Sequence, residues 1–309
     1  SGVYGSTLVG GADEDSFYFG SSVTGASYIS MDAGSDLAVF NDVVYANTSV
    51  IAGAGADTIQ FNQSMDNGIT IDAGAGHDSL YFAKALTSTT LTAGAGNDTI
   101  SLAAASTAAY VDTGSGSDSV VFNAQTTNTT VVGGTGKTTI SFSSAADLVS
   151  LTGTFGAGEI QGGAASDTLV FMKGAVVAVG TSVEGGAGVD SIHFIGNTLS
   201  GQFSGGAATD NYSGAITVGG SGVSFWGGAG NDTFNFSTIT GNGQNGTAYF
   251  WNDVTAGGGT DSIVFGSAIS QFGANGAKSA GAYFGITKGT GMNISFLTKQ
   301  GTIGFGTTN

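Results

Sequence analysis

Cysteine, proline and arginine are all absent from this 309-residue chain. Without cysteine no disulfide can contribute to stability, and without arginine no bidentate guanidinium clamp for phosphate or carboxylate exists. Basic residues are few: all six are lysines, against 22 acidic residues, for a formal charge of −16. The acid is almost all aspartate, with glutamate only at Glu14, Glu159 and Glu184. Nucleic acid and anionic membrane surfaces are therefore poor partners. No apolar run reaches the roughly 18 residues of a transmembrane helix, so no membrane insertion is expected. No signal peptide is visible, and the opening on Ser1 suggests a processed product or one segment of a longer protein. Only two histidines occur, His77 in a turn and His193 in a strand, too far apart along the chain for a shared zinc site or a triad. Serine and threonine are plentiful, yet no G-x-S-x-G elbow activates one. An acidic, glycine-rich chain of this kind invites a reading of disorder, but its 40% hydrophobic content falls at regular spacing.

What the chain has instead is a repeat. Gly74-Ala75-Gly76-His77-Asp78-Ser79-Leu80-Tyr81-Phe82 returns as Gly94-Ala95-Gly96-Asn97-Asp98-Thr99-Ile100-Ser101-Leu102, and is preceded by Gly53-Ala54-Gly55-Ala56-Asp57-Thr58-Ile59-Gln60-Phe61. The form is G-x-G-x-D-[ST]-U-x-U, with U a large apolar residue. Its glycines allow a tight turn and its alternating tail reads as a short strand with one buried face. The motif aspartates are Asp15, Asp36, Asp57, Asp78, Asp98 and Asp118, then Asp167, Asp190, Asp210, Asp232 and Asp261. Thr138 stands where one more is expected, beside Lys137, and should interrupt the row. Steps of 20–21 residues, with longer steps before Asp167 and Asp261, predict about twelve coils and two insertions, near 144–158 and 238–250. An apolar residue three positions before each turn (Ile29, Val50, Ile71, Leu91, Val111, Val131) marks a second strand. Each coil should then have two short strands around one coded turn, while the opposite turn varies freely. Exposed solenoid ends need covering, so residues 266–309, where the code stops, read as a C-terminal cap or assembly element after a solenoid of residues 1–265.

An oxygen-rich turn ending in Asp and stacked on its copies suits a hard cation such as calcium. The motif resembles the calcium-binding nonapeptide of secreted repeats-in-toxin (RTX) proteins, G-G-x-G-x-D-x-U-x. That resemblance implies an all-β, parallel β-solenoid of the β-roll or β-helix kind, holding several Ca²⁺ ions. One motif per coil, where an RTX roll has two, points to a single row of ions. Carried over residue by residue, the metal set is Gly53, Gly55 and Asp57; Gly74, Gly76 and Asp78; Gly94, Gly96 and Asp98; Gly114, Gly116 and Asp118; Gly186, Gly188 and Asp190; and Gly228, Gly230 and Asp232. Asp36, Asp167, Asp210 and Asp261 belong to it from degraded turns. Asp72 and Asp112, just before a turn glycine, either extend the metal shell or are solvated. In some one-rowed relatives a threonine array binds ice, but the equivalent positions here are Ala54, Ala75, Ala95, Ser115 and Thr135.

Nothing in this reading is an active site, so the chain is expected not to be an enzyme. The resemblance implies a secreted or cell-surface structural protein, a surface-layer or filament subunit that assembles with itself when calcium binds. About eight Ca²⁺ would offset the −16 charge and remove the repulsion between copies. Cell-surface glycan is a further expected partner. The alternative is the solenoid segment of a large secreted adhesin, or the accessory repeat region of a secreted hydrolase whose catalytic domain lies elsewhere.

Overall fold

Period-two alternation produces strands with one apolar face, and strands of one coil can bury that face only against the facing strands of the same coil. The computed structural model realises this arrangement as a parallel β-solenoid of about twelve turns, with no helix among the described residues. It describes residues 2–219, 221–241, 247–251, 260–265, 269–270, 281–285, 291–296 and 304–305, and the side chains of 2–219, 221–240 and 261–264. The chain forms two compact units, Ser1–Ser144 and Ala145–Asn309.

In the first unit the strands before the coded turn are Thr7–Gly11, Tyr28–Asp32, Ser49–Ala54, Thr70–Ala75, Thr90–Thr92 and Tyr110–Asp112, each paired in parallel with the next. The strands after it run from Ser16–Phe19 through Thr58–Phe61 and Ser79–Phe82 to Lys137–Ser141. Equivalent residues stack in register, as in Ile59↔Leu80↔Ile100↔Val120. Val50, Ile71, Leu91, Val111 and Val131 face them, all fully buried. Each such side chain contributes about 1.5–3 kcal/mol through burial. Along the axis the rings of Phe19, Phe40, Phe61 and Phe82 stack nearly parallel, with centroids 4.5–5.3 Å apart.

The opposite turn does not vary freely. Ala26, Asn47, Gly68, Ser88, Ala108 and Asn128 each adopt positive φ, between 46° and 77°. The next residue in each case (Ser27, Thr48, Ile69, Thr89, Ala109, Thr129) is buried. Before it lies a third, very short ladder, seen at Leu86–Thr87 and Ser106–Thr107. This corner tolerates any small or polar residue that reaches the left-handed region, so no single letter marks it in the sequence.

In the second unit, Leu148–Gly163 makes a full coil by itself. Its start pairs with Thr168–Phe171 and its end with Ser182–Ala187. Of the insertion expected near 144–158, residues 148–158 lie in this strand, and the additional nine residues separate Thr138 from Asp147. At the second expected insertion, strands Thr233–Gly241 and Thr247–Trp251 flank residues 242–246, which lie outside those described. Beyond residue 265, Ile269–Ser270, Gly281–Gly285, Gly291–Phe296 and Gly304–Phe305 continue the parallel pairing.

The turn glycines are set by contact as well as conformation. At Gly96, φ is +141° and an added β-carbon would lie 1.4 Å from the carbonyl oxygen of Gly76 in the preceding coil. At Gly174, φ is +87° but the added carbon meets nothing within 4 Å. Gly174→Ala should cost about 1 kcal/mol from backbone strain, and Gly96→Ala more than about 3 kcal/mol, because the coils must separate. Urea unfolding in calcium tests this; equal losses at the two positions would show that coil contact is not what selects glycine.

Candidate metal centre

Asp57, Ile59 and Phe61 are all buried, while Thr58 and Gln60 between them are half-exposed. Alternation thus carries the motif aspartate to the inner face, in line with the core residues after it. The register repeats this from Asp36 to Asp118 and from Asp147 to Asp261, so the aspartates form a column inside each unit. In the first unit Oδ1 of Asp36, Asp57, Asp78, Asp98 and Asp118 accepts the backbone N–H of the preceding aspartate, at 2.7–3.1 Å. In the second unit Asp167, Asp190, Asp210, Asp232 and Asp261 do the same, starting from the N–H of Asp147, at 2.8–3.0 Å.

The other carboxylate oxygen tells more. Oδ2 of Asp36, Asp57, Asp78, Asp98 and Asp118, and of Asp167, Asp190, Asp210, Asp232 and Asp261, is buried with no hydrogen-bond partner. A buried, unpartnered anionic oxygen is costly, so it takes a proton or a cation. Burial pushes the carboxyls of Asp57, Asp98, Asp190 and Asp261 above the usual range. Those of Asp78, Asp167 and Asp210 rise to about 7, and those of Asp118 and Asp232 to about 6, through burial first and neighbouring aspartates second. The hydrogen bond from the preceding aspartate opposes these shifts without cancelling them.

A hard cation fits this donor set. All donors are oxygens, and in ten coils one buried carboxylate oxygen lacks a partner. Bound calcium would supply positive charge to carboxylates that otherwise repel along the column. Among the described residues no group of three or more His, Cys, Asp or Glu side chains converges. Main-chain oxygens would therefore have to complete each shell, which is the pattern of weaker sites.

The glycines of the sequence-derived set stack in their own columns beside the aspartates: Gly53 on Gly74, and Gly186, Gly206 and Gly228 in turn. Gly55, Gly76, Gly96 and Gly116 form the next column, where each would-be side chain is occupied by the carbonyl oxygen of the coil before. Gly94 and Gly114 continue the first column, and Gly188 and Gly230 occupy equivalent turn positions at positive φ. Thr138 lies in register with Asp118, buried, its hydroxyl without a partner. Asp112 accepts the N–H of Gly114 at 3.0 Å and so caps its own turn. His77 Nδ1 accepts the Asn97 N–H at 2.8 Å, and His193 Nδ1 pairs with the Ser213 hydroxyl at 2.9 Å.

One residue of the column escapes the motif. Asp147 is buried and in register with Asp167, but Ala145-Ala146 precede it without turn glycines. Its signal lies in the alternating stretch Leu148-Val149-Ser150-Leu151 directly after it, and in the 20-residue step to Asp167.

Replacing one carboxyl by its neutral isostere should separate these effects. Asp78→Asn keeps the Oδ1 acceptor and removes the buried charge, so the metal-free chain should gain about 1–2 kcal/mol at pH 7.5. Thermal unfolding in chelator checks it; a loss of stability there would mean the charge of Asp78 is compensated within the protein.

No protein-family model matches this chain, and no curated protein does. Among solved structures it is similar to a hyperactive, Ca²⁺-dependent, β-helical antifreeze protein from an Antarctic bacterium. The two are 19% identical over 88% of this chain and 83% of that one, with a TM-score of 0.32.

Proposed function

We propose that this chain is a non-enzymatic, calcium-stabilised structural solenoid that works outside the cell, as a subunit of a surface layer or filament. The observation that carries this is the column of buried Oδ2 atoms without partners, five in each unit among the described residues. A protein that keeps unpaired anionic oxygens in its core at regular spacing is built for a cation supplied from solution. Shells completed by main-chain oxygens suit the millimolar calcium found outside cells better than the scarce calcium of a cytosol. The metal set proposed is the aspartates of the column, with the turn residues beside them. Loading also removes negative charge from a chain of −16, so copies that repel in its absence can pack together.

Electron microscopy of purified chain in millimolar Ca²⁺ and in excess chelator tests this directly. Ordered assemblies are expected with calcium and none with chelator. Dispersed single particles in calcium at every protein concentration would remove the assembly role, while leaving cation binding to be judged by equilibrium dialysis.

A further inference from the structure

In the second unit, the strands before the coded turns carry two columns of residues on their outer face. Alternation buries Val183, Phe203 and Phe225 and turns the residues on either side of them outward. One outer column is Gln161, Glu184, Ser204 and Trp226, stacked in register at successive coils. Trp251 takes the next register position, directly after Trp226. The only two tryptophans of the chain are therefore neighbours in one column. The other column runs through Ser182, Gln202 and Ser224, and Tyr249 and Tyr283 take the two register positions that follow. In the first unit the equivalent strands carry outer aromatic residues only singly, Tyr28 and Tyr110, four coils apart.

Trp226 is half-exposed and Glu184 is exposed. At the glutamate end, Gln161, Gly162, Gly163, Glu184 and Gly186 line a groove of about 210 Å³. Glu159 accepts the side-chain N–H of Gln161 at 2.8 Å, which fixes the direction of that amide. The column thus offers a carboxylate and a held amide at one end, a hydroxyl in the middle and tryptophan at the other. From Gln161 to Trp251 is four coil steps, roughly 19 Å at the spacing of adjacent strands. Neither column contains a lysine, and the chain has no arginine, so this face has no cationic group of its own for a phosphate, sulfate or carboxylate. The core does not need an indole here, because Phe225 already fills the inner position beside Trp226. A large, rigid ring with one face in water is a contact surface.

We propose that this face binds a neutral, extended polysaccharide lying along the columns. A pyranose ring has apolar C–H faces and a rim of hydroxyls. Its faces pack on tryptophan, while its hydroxyls donate to the Glu184 carboxylate and exchange hydrogen bonds with the Gln161 amide and the Ser204 hydroxyl. An extended chain of sugars meets these groups in turn, because register stacks them one coil apart. Acidic glycans are selected against, since Glu159 and Glu184 repel them in a chain of net charge −16. This goes beyond the structural role proposed above: it gives the solenoid a ligand through which a subunit outside the cell is held to a polysaccharide coat. It uses none of the buried carboxylates of the aspartate column, so the two readings fail separately.

Because Trp226 and Trp251 are the only tryptophans, the indole fluorescence of the intact, calcium-loaded chain reports on this face alone. Titration with soluble oligosaccharides of cellulose, chitin, starch, mannan and dextran tests the proposal, with anionic alginate oligosaccharide as the comparison. A saturable change is expected with at least one neutral probe and none with alginate. Trp226→Ala should weaken binding about tenfold or more and Glu184→Ala at least about threefold, while Tyr110→Ala in the first unit leaves it unchanged. Circular dichroism in calcium establishes that each variant is folded; should Trp226→Ala fail to fold, Glu184→Ala, altered at an exposed position, still decides. No binding of any neutral probe, or binding that Glu184→Ala and Trp226→Ala leave unchanged, overturns the inference, and ordered assemblies that still form in calcium then keep the proposed function standing. Loss of those assemblies in folded Trp226→Ala, with no sugar bound by the unmodified chain, overturns it in favour of a contact between copies of the chain.

Discussion

Excess chelator at pH 7.5 is expected to abolish most of the β-sheet circular dichroism of this chain, and millimolar Ca²⁺ to restore it. The magnitude comes from linkage. A site held at ten times its Kd stabilises the folded state by about 1.4 kcal/mol. Four such sites, for example those of Asp167, Asp190, Asp210 and Asp232, would together contribute about 6 kcal/mol. That is comparable with the entire net stability of an ordinary domain, about 5–15 kcal/mol. The opposing term is already in place, since the buried Oδ2 atoms of these coils have no partner in the protein. Calcium removal should therefore act on whole sheets and not on single coils, because each coil supplies the hydrogen-bonding edge of the next. Spectra and melting temperature that are unchanged in chelator would eliminate calcium as a structural component.

The metal-free chain should grow less stable as pH rises from 5 to 8, the reverse of its behaviour in calcium. The sign is set by the folded carboxyls of Asp78, Asp167 and Asp210 at about 7 and those of Asp118 and Asp232 at about 6, against 3.8 for the ordinary group. A group whose folded value is raised holds its proton more tightly when folded. Its contribution is complete below the unfolded value and is lost as pH climbs through the folded one, here between about 4 and 7. Around Asp78 the facing charges are Asp57, Asp98 and Asp72, all of the same sign, so nothing local offsets the loss. Discounting for solvent screening, each carboxyl accounts for on the order of 2 kcal/mol, and several act together. With calcium present, protons compete with the ion, so acid should instead weaken the fold. Thermal unfolding at pH 5 and pH 8, with chelator and with calcium, gives the four numbers required. A metal-free melting temperature equal or higher at pH 8 would show that these carboxyls are already compensated. Working at pH 5 also keeps the chain clear of its isoelectric point near 4.1.

The sequence by itself determined the solenoid, because a parallel coil has one repeating physical problem and solves it with the same residues each time. Turn glycines recur where the carbonyl of the coil before leaves no room for a side chain, and Ile59, Phe61 and their equivalents recur where the interior must be filled. The motif also located the aspartates, including those of the degraded turns at Asp36, Asp167, Asp210 and Asp261, which lie in the same columns as the intact ones. Three features were settled only in three dimensions. Asp147 joins the column without glycines, since register with Asp167 is a property of strand pairing and not of any local word. The opposite corner is as regular as the coded one, but its requirement is a positive φ that alanine, serine and asparagine all meet. Finally, the carboxylates are inside. A run of stacked Gly and Asp residues is equally compatible with solvated side chains in an outer turn. Only the folded coil places Oδ1 on a neighbour's N–H and leaves Oδ2 without a partner.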